Sequence, residues 1–441
     1  MALTQIQQKT GRPRIVIIGA GFAGLAAARQ FRNADVSVTV IDRSNHHLFQ
    51  PLLYQVATAA LSPADIMAPI RYLLRDQENT QVILGEVDLI DTERRVVCIE
   101  DGDLEYPYDY LLIATGARHS YFGNDHWEHL APGLKTMADA REMRRRFLMA
   151  FEEAEKAIDP QEQRELLTFV IVGGGPTGVE LAGVLPEIAR KAMGRDFRHI
   201  NTADTHVILI EALPQILSGF PDRLSKIARE DLEKLGVEVR TETLVTDISP
   251  TTVTLKSGEE IRARTVFWAA GNVASPLGKM IGAPVDRAGR VKVEPDLSVP
   301  GHPEIFVAGD LALTFGKDGK PNPAVAQPAM QGGHCAAQNI LKRIRGEETE
   351  PFVYFNKGNM AVIGRNKAVA DLSPLKLPSF GGFLAWFAWL FVHLLYLVGF
   401  RNRLSVLMQW AYAYLTYQRG ARIISEVERE ERPPVPAEAR V

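Results

Sequence analysis

Two glycine clusters and the acids that follow them carry the first chemical information in this 441-residue sequence. Gly19-Ala20-Gly21-Phe22-Ala23-Gly24 comes directly after the β-branched run Arg14 to Ile18, and Gly173-Gly174-Gly175-Pro176-Thr177-Gly178 after Phe169 to Val172. Gly19, Gly21 and Gly24, like Gly173, Gly175 and Gly178, have the spacing that turns a strand sharply into a helix. Backbone N–H groups at the helix N-terminus can then approach a pyrophosphate. Asp42 closes the next apolar run, Val36 to Ile41, and Glu211 closes Val207 to Ile210. A carboxylate at that strand end can accept hydrogen bonds from both ribose hydroxyls of an adenosine. A lone G-x-G-x-x-G is weak, because any glycine turn imitates it. Strand, turn, helix, strand and acid in register make a dinucleotide site. Glu211 disfavours a 2′-phosphate and no arginine directly follows it, so the second nucleotide reads as NADH rather than NADPH.

A third group lies near the other end. Gln327 and Gln331 are spaced i, i+4 and share a face on a helix. Pro328 is tolerated only in a first turn, which puts the helix start near Gln327. Two glutamines on an ordinary surface helix are the plainer alternative. Glu180, just after the second glycine cluster, is equally open to reading as a solvated first-turn carboxylate. Lys357 and His393 have no assignable role from sequence.

The elements that must position these residues occur twice. Each unit continues through strand-like segments, Thr80 to Tyr106 and Val237 to Ala263. Each then ends on an apolar strand and a small-residue turn, Leu111 to Gly116 and Val266 to Gly271. Gly19 to Gly116 spans 97 positions and Gly173 to Gly271 spans 98. The spacing predicts an α/β protein with two Rossmann-like dinucleotide-binding domains. Met137 to Ala157 has the spacing of a linker helix, stopped by Asp159-Pro160. Later segments, the strand Ile305 to Ala308 with Gly309-Asp310, a helix Ala326 to Arg343, and strands near Phe352 to Tyr354 and Met360 to Ile363, should return to the first domain. The expected division is 12–130 with 290–375, 131–289, a C-terminal apolar helical segment 376–424, and a disordered tail 425–441.

Composition narrows the function. A net charge of −3 gives no reason to bind nucleic acid. Two distant cysteines, Cys98 and Cys335, exclude a local redox dithiol and fit a reducing compartment. No metal is expected. Met1 to Arg14 lacks the apolar region of a signal peptide, which places the first domain on the cytoplasmic side. Phe380 to Phe400 runs 21 residues without a charge, enough to span a bilayer by length. Arg401, Arg403, Arg419 and Arg422 follow it, against the positive-inside tendency, and Leu404 to Gln418 is apolar and aromatic. Attachment within one leaflet is therefore favoured over a span.

The two glycine motifs, Ala114-Thr115-Gly116, Ala269-Ala270-Gly271 and Val307-Ala308-Gly309-Asp310 resemble the two-dinucleotide-binding-domain flavoproteins. Leu48 to Ala57, Ala326-Gln327-Pro328-Ala329-Met330-Gln331, and Lys357-Gly358 with Ile363-Gly364-Arg365 resemble the type II NADH dehydrogenases. These are single-subunit NADH:quinone oxidoreductases that pump no protons. The resemblance implies FAD at Gly19, Gly21, Gly24, Asp42, Val87, Gly116, Asp310 and Ala326, and NADH at Gly173, Gly175, Gly178, Glu211 and Gly271. It also implies Gln327 and Gln331 where flavin meets a membrane quinone, Glu180 near the nicotinamide or a proton route, C-terminal helices on the bilayer surface, and a homodimer. A helix N-terminus near Gln327 aimed at the flavin would stabilise the charge that arrives with hydride. The competing readings are a soluble NADH-dependent reductase of a ferredoxin- or rubredoxin-like protein and a non-enzymatic flavoprotein. The first needs no apolar C-terminus.

Overall fold

The computed structural model describes residues 11–417 and 420–424; the expected tail and Arg419 lie outside them. In chain order the first unit contains β1 (Arg14–Ile18), α1 (Phe22–Gln30), β2 (Ser37–Asp42), β3 (Thr80–Leu84) and β4 (Tyr110–Ile113). Helix α2 (Met137–Lys156) leads to the second unit: β5 (Thr168–Val172), α3 (Pro176–Glu187), β6 (His206–Ile210), β7 (Val237–Arg240) and β8 (Thr265–Trp268). The chain then returns through β9 (Ser298–Val299), β10 (His302–Val307) and α4 (Ala326–Ile344).

Strand order β9-β10-β4-β1-β2-β3 makes the first sheet, parallel except at β9. Order β7-β6-β5-β8 makes the second, parallel throughout. Parallel strands are covered on both faces, which is why β1 is apolar at every core position. Ile15 and Ile17 face the α1–α4 layer with Phe306 and Ile340, while Val16 and Ile18 face the other layer with Ile113 and Val307. Alanine and glycine let α1 and α4 approach closely: a Cβ on Gly333 would stand 2.1 Å from the Ala23 carbonyl oxygen. In each unit a three-stranded antiparallel sheet fills the long crossover, Val87–Asp91 with Val96–Ile99 and Leu104–Pro107, and Val245–Ile248 with Thr252–Leu255 and Glu260–Arg262.

Three expectations change. Asp159-Pro160 does more than stop α2: Asp159 caps a further short helix, Pro160–Leu166, accepting from the Gln161 N–H. Residues 352–354 form no strand, and the segment runs along α4 as a strap. The strands near 360, β11 (Asn359–Gly364) and β12 (Lys367–Asp371), do not return to the first sheet. They pair with each other and with β13 (Phe380–Gly381), and they pack on α3 of the second unit. A Cβ on Gly183 of α3 would collide with the Ile363 carbonyl, so that packing is backbone on backbone.

The long apolar segment is broken. Helix α5 (Phe383–Tyr396) has 14 residues and α6 (Phe400–Thr416) has 17, separated at Gly399, whose φ of +91° suits glycine. Helix α5 is about 21 Å long, short of a hydrocarbon core of about 30 Å. Among the described residues no helix is long and apolar enough to cross a membrane.

Candidate dinucleotide and acceptor sites

In the first cradle each glycine has a separate reason. Gly19 has φ +93°, and a Cβ there would lie 2.6 Å from the Ala114 oxygen; one on Gly24 would strike the Gly19 oxygen at 1.8 Å. Gly21 has nothing within 4 Å, leaving open space at the N-terminus of α1. Asp42 accepts from the Ala20 N–H at 2.6 Å and the Ser44 N–H at 2.7 Å. Burial pushes its pKa up, and the two N–H bonds oppose that shift. Each oxygen retains acceptor capacity for a ribose hydroxyl.

The second cradle repeats this arrangement. Gly173 has φ +110° and no room beside Ala269, Gly178 abuts the Gly173 oxygen at 1.8 Å, and Gly175 is open. Glu211 accepts from Gly174 N–H at 2.6 Å and Leu213 N–H at 2.8 Å, the same pair of bonds that Asp42 makes. Arg240, in register with Ile210 at the neighbouring strand end, is committed to Glu238 and Glu259 at 2.5 and 2.7 Å. Gly116 and Gly271, at φ +66° and +73°, lead into an antiparallel ribbon, Ala117–His119 with Asn272–Ala274, that joins the two units.

The first cradle fits FAD on observations of its own. The Thr115 hydroxyl is buried without a partner, and a buried polar group of this kind costs stability unless satisfied. Asp310, at the start of a short turn after β10, makes no side-chain hydrogen bond among the described residues. Burial raises its pKa, and the Lys135 ammonium opposes the rise. Lys135 is itself lowered by burial and supported by Asp310. Sequence reasoning missed Lys135; the only signal was a lysine one position before the helix cap Thr136. Ala326 begins α4, and Val87 begins the outer antiparallel sheet, half-buried.

Glu180 is not a solvated first-turn carboxylate. It is buried on α3, its pKa is raised well above the ordinary value by that burial, and a backbone bond from Val362 opposes that only in part.

Gln327 and Gln331 do share a face, and both amides are occupied at both ends. Gln331 donates to the Phe355 carbonyl at 3.0 Å and accepts from the Phe355 N–H at 2.9 Å. Gln327 donates to the Gly358 carbonyl at 3.0 Å and accepts from the Lys357 N–H at 3.2 Å. Lys357 in turn donates to the Tyr396 hydroxyl at 3.1 Å, at the end of α5. His393 stacks on Trp389 at 3.9 Å and bonds the Trp389 carbonyl through Nδ1 at 2.7 Å. Burial pushes its pKa down to about 4, so the ring is neutral at pH 7.

The sequence pattern of the pyridine nucleotide-disulphide oxidoreductases matches residues 13–333, and that of the NDH2 C-terminal domain matches residues 356–417. A type II NADH:quinone oxidoreductase, Ndh, of Mycobacterium tuberculosis is 44% identical over 95% of this chain and 93% of its own length. A second from the same organism, NdhA, is 46% identical over 94% and 90%. The chain belongs to the type II NADH:quinone oxidoreductases. FAD and NADH are the cofactors of this enzyme, and the disulphide in the broader family's description has no counterpart, since Cys98 and Cys335 are both free. The solved structure of NDH2 from Plasmodium falciparum shares the fold of this type II enzyme, with a TM-score of 0.85 over 93% of this chain and 99% of that one at 21% identity.

Glu211 carries a charge at the end of its strand, and Arg240 is paired with Glu238 and Glu259. Glu211→Gln should narrow the preference for NADH over NADPH by roughly tenfold, by removing one charge facing a 2′-phosphate. Flavin bleaching rates with the two nucleotides measure it, and equal wild-type rates would refute the assignment.

Proposed function

We propose that NADH binds the cradle of Gly173, Gly175, Gly178 and Glu211, and that a membrane quinone is reduced on the side walled by Gln327, Gln331, Lys357 and Tyr396. FAD, held by the first cradle with Asp42, Thr115, Gly116 and Asp310, supplies the two-electron chemistry between them. The chain's own residues orient the nucleotides, hold the Glu180 carboxyl well above its ordinary pKa by burial beside the second cradle, and set the wall toward the acceptor. The enzyme rests on the cytoplasmic face of the cell membrane without crossing it, as a homodimer; light scattering in detergent checks the assembly.

The observation that carries the membrane side of this reading is the inside-out character of α6. Four of its polar side chains point into the protein. Asn402 donates to the Met67 carbonyl at 2.9 Å, Ser405 and Gln409 donate to Asp65 at 2.7 and 2.8 Å, and the Trp410 indole donates to Gln55 at 2.8 Å. Val406 is buried among them, while Leu404, Leu407, Met408 and Leu415 point away, Leu415 79% exposed. Helix α5 inserts Ala385 and Trp389 into the core and turns Leu384, 70% exposed, together with Phe387 and Phe391 outward. A contiguous apolar surface on helices tied down by buried polar bonds suits a lipid surface. It also disfavours the soluble-reductase alternative.

Replacing Leu384, Phe387 and Phe391 by serine should move the protein from vesicle-bound to soluble in a flotation assay while NADH still bleaches the flavin. Each large apolar side chain withdrawn from lipid removes about 1.5–3 kcal/mol of attachment. Deleting the chain from Pro378 is a poorer test, since it would strip Trp389 from the core. Continued flotation of the triple variant would place the anchor elsewhere. Turnover with short-chain quinones against protein acceptors tests the acceptor class.

A further inference from the structure

Helix α4 carries a ridge of side chains four residues apart, Gln327, Gln331, Cys335 and Asn339, and the strap of residues 350–358 lies along it. The strap belongs to no sheet. Most of its backbone partners are instead three side-chain carboxamides, each bonded through both its N–H and its oxygen. Asn339 donates to the Glu350 carbonyl and accepts from the Glu350 N–H, both at 2.8 Å. Gln331 makes the same two-bond ring with Phe355, and Gln327 bridges Lys357 and Gly358. Asn339 is 1% exposed and uses its second donor hydrogen on the Asp296 carbonyl at 3.0 Å, so its orientation is fixed from the core. The Phe352 N–H adds one backbone bond to Pro295 at 2.7 Å.

An i±4 ridge on a straight helix is inclined to its axis, so an extended chain lying along it is held at a defined slant. The carboxamides act as a row of bridge partners with a fixed origin at Asn339 and a far end at Lys357. At that end the Lys357 ammonium meets Tyr396, the last residue of α5.

We propose that Asn339 is a positioning residue for the acceptor site: it sets the register of the strap on α4, and thereby where Lys357 stands against Tyr396. The inference rests on the reading that Lys357 and Tyr396 wall the acceptor side. Asn339 itself touches no substrate and acts only through the strap.

The test uses the FAD-loaded full chain in detergent, with a short-chain quinone as acceptor and the two half-reactions separated by stopped flow. Asn339→Leu and the less buried Gln331→Met should each raise the quinone KM about tenfold, as loss of a paired hydrogen bond implies, while the rate of flavin bleaching by NADH stays within about twofold. In a Lys357→Met background Asn339→Leu should add no further effect, because the group it positions is gone, whereas Gln331, which also walls the site, can add its own. A general loss of folding would instead lower both half-reactions and the melting temperature together. If Asn339→Leu folds and leaves the quinone KM unchanged while Gln331→Met raises it, the strap does not transmit position and the proposal is overturned. Where Asn339→Leu does not fold, Asn339→Ser takes its place in the same cycle, and full additivity with Lys357→Met overturns the proposal equally. A wild-type quinone KM in Lys357→Met alone would overturn the acceptor-side reading itself, a distinct result.

Discussion

Gly175→Val should give a folded, yellow protein whose flavin is bleached by NADH on the order of a hundredfold more slowly, whereas Gly21→Val should give a folded protein that does not retain FAD. Both positions are the middle glycine of their cradle, and both face open space, with no atom within 4 Å of an added Cβ. Their backbones are ordinary for an L residue: Gly21 has φ −67° and ψ −159°, Gly175 φ −71° and ψ −179°. A β-branched side chain suits that extended conformation, so neither substitution strains the fold. Each does fill the volume through which a pyrophosphate must approach the helix N-terminus. The flanking glycines would not serve, because a Cβ on Gly19, Gly24, Gly173 or Gly178 strikes backbone and would disturb folding itself. Absorbance of the purified variants and stopped-flow bleaching are the measurements. A colourless Gly175→Val beside a yellow Gly21→Val would exchange the two nucleotides between the cradles.

Both cradles were legible because their constraints are local. A strand, a glycine that must take positive φ, a helix start and an acid all lie within about 40 residues of one another, and each requirement restricts residue type. The Asp42 and Glu211 bonds to the second residue of each glycine motif are consequences of that same short segment. The acceptor side was legible only in part. The spacing of Gln327 and Gln331 showed a shared face and Pro328 a helix start, but nothing in the sequence says that both amides clasp a strap some 25 to 30 residues further on. Asn339 was missed because an asparagine near the end of an apolar helix has no periodic signature. Residues 359–371 were assigned to the wrong neighbour for a related reason. Alternating apolar strands specify that a face is buried, not which helix buries it, and here Gly183 makes α3 the better surface. The apolar C-terminus was misleading in length, since hydropathy runs straight through Leu397-Val398-Gly399 where the backbone breaks. Its inward polar residues are spread over α6 at helical spacing among apolar ones. They become interpretable only when Asp65 and Gln55 are seen on the other side.

Glu180→Gln should stabilise the enzyme by an amount that grows with pH. Burial holds the Glu180 carboxyl well above its ordinary value of 4.5, so the folded protein keeps a proton that the unfolded chain releases as pH rises through that value. Above pH 4.5 the unfolded state therefore binds fewer protons, and stability falls with rising pH by up to about 1.4 kcal/mol per unit until the folded-state pKa is passed. Glutamine has nearly the same shape, can still accept the Val362 bond, and carries no titrating proton. Melting temperatures of the variant and the wild type should coincide near pH 4.5 and separate as the pH rises above it, the variant higher. Parallel curves across that range would mean that Glu180 is ionised in the folded enzyme and that its enclosure is relieved by groups not bonded to it. The kinetic counterpart follows from position. Glu180 lies in the first turns of α3, two residues beyond Gly178, and bonds the strand that carries the strap's far end. A neutral residue there keeps negative charge away from an incoming hydride donor, so Gln should leave bleaching by NADH within a few-fold of wild type. If the carboxyl also relays a proton toward the acceptor side, the pH-dependent limb of quinone turnover disappears in Glu180→Gln while its plateau at low pH is lowered. A turnover profile that keeps its limb would confine Glu180 to keeping the second cradle neutral, and the proton would have to enter from the quinone side.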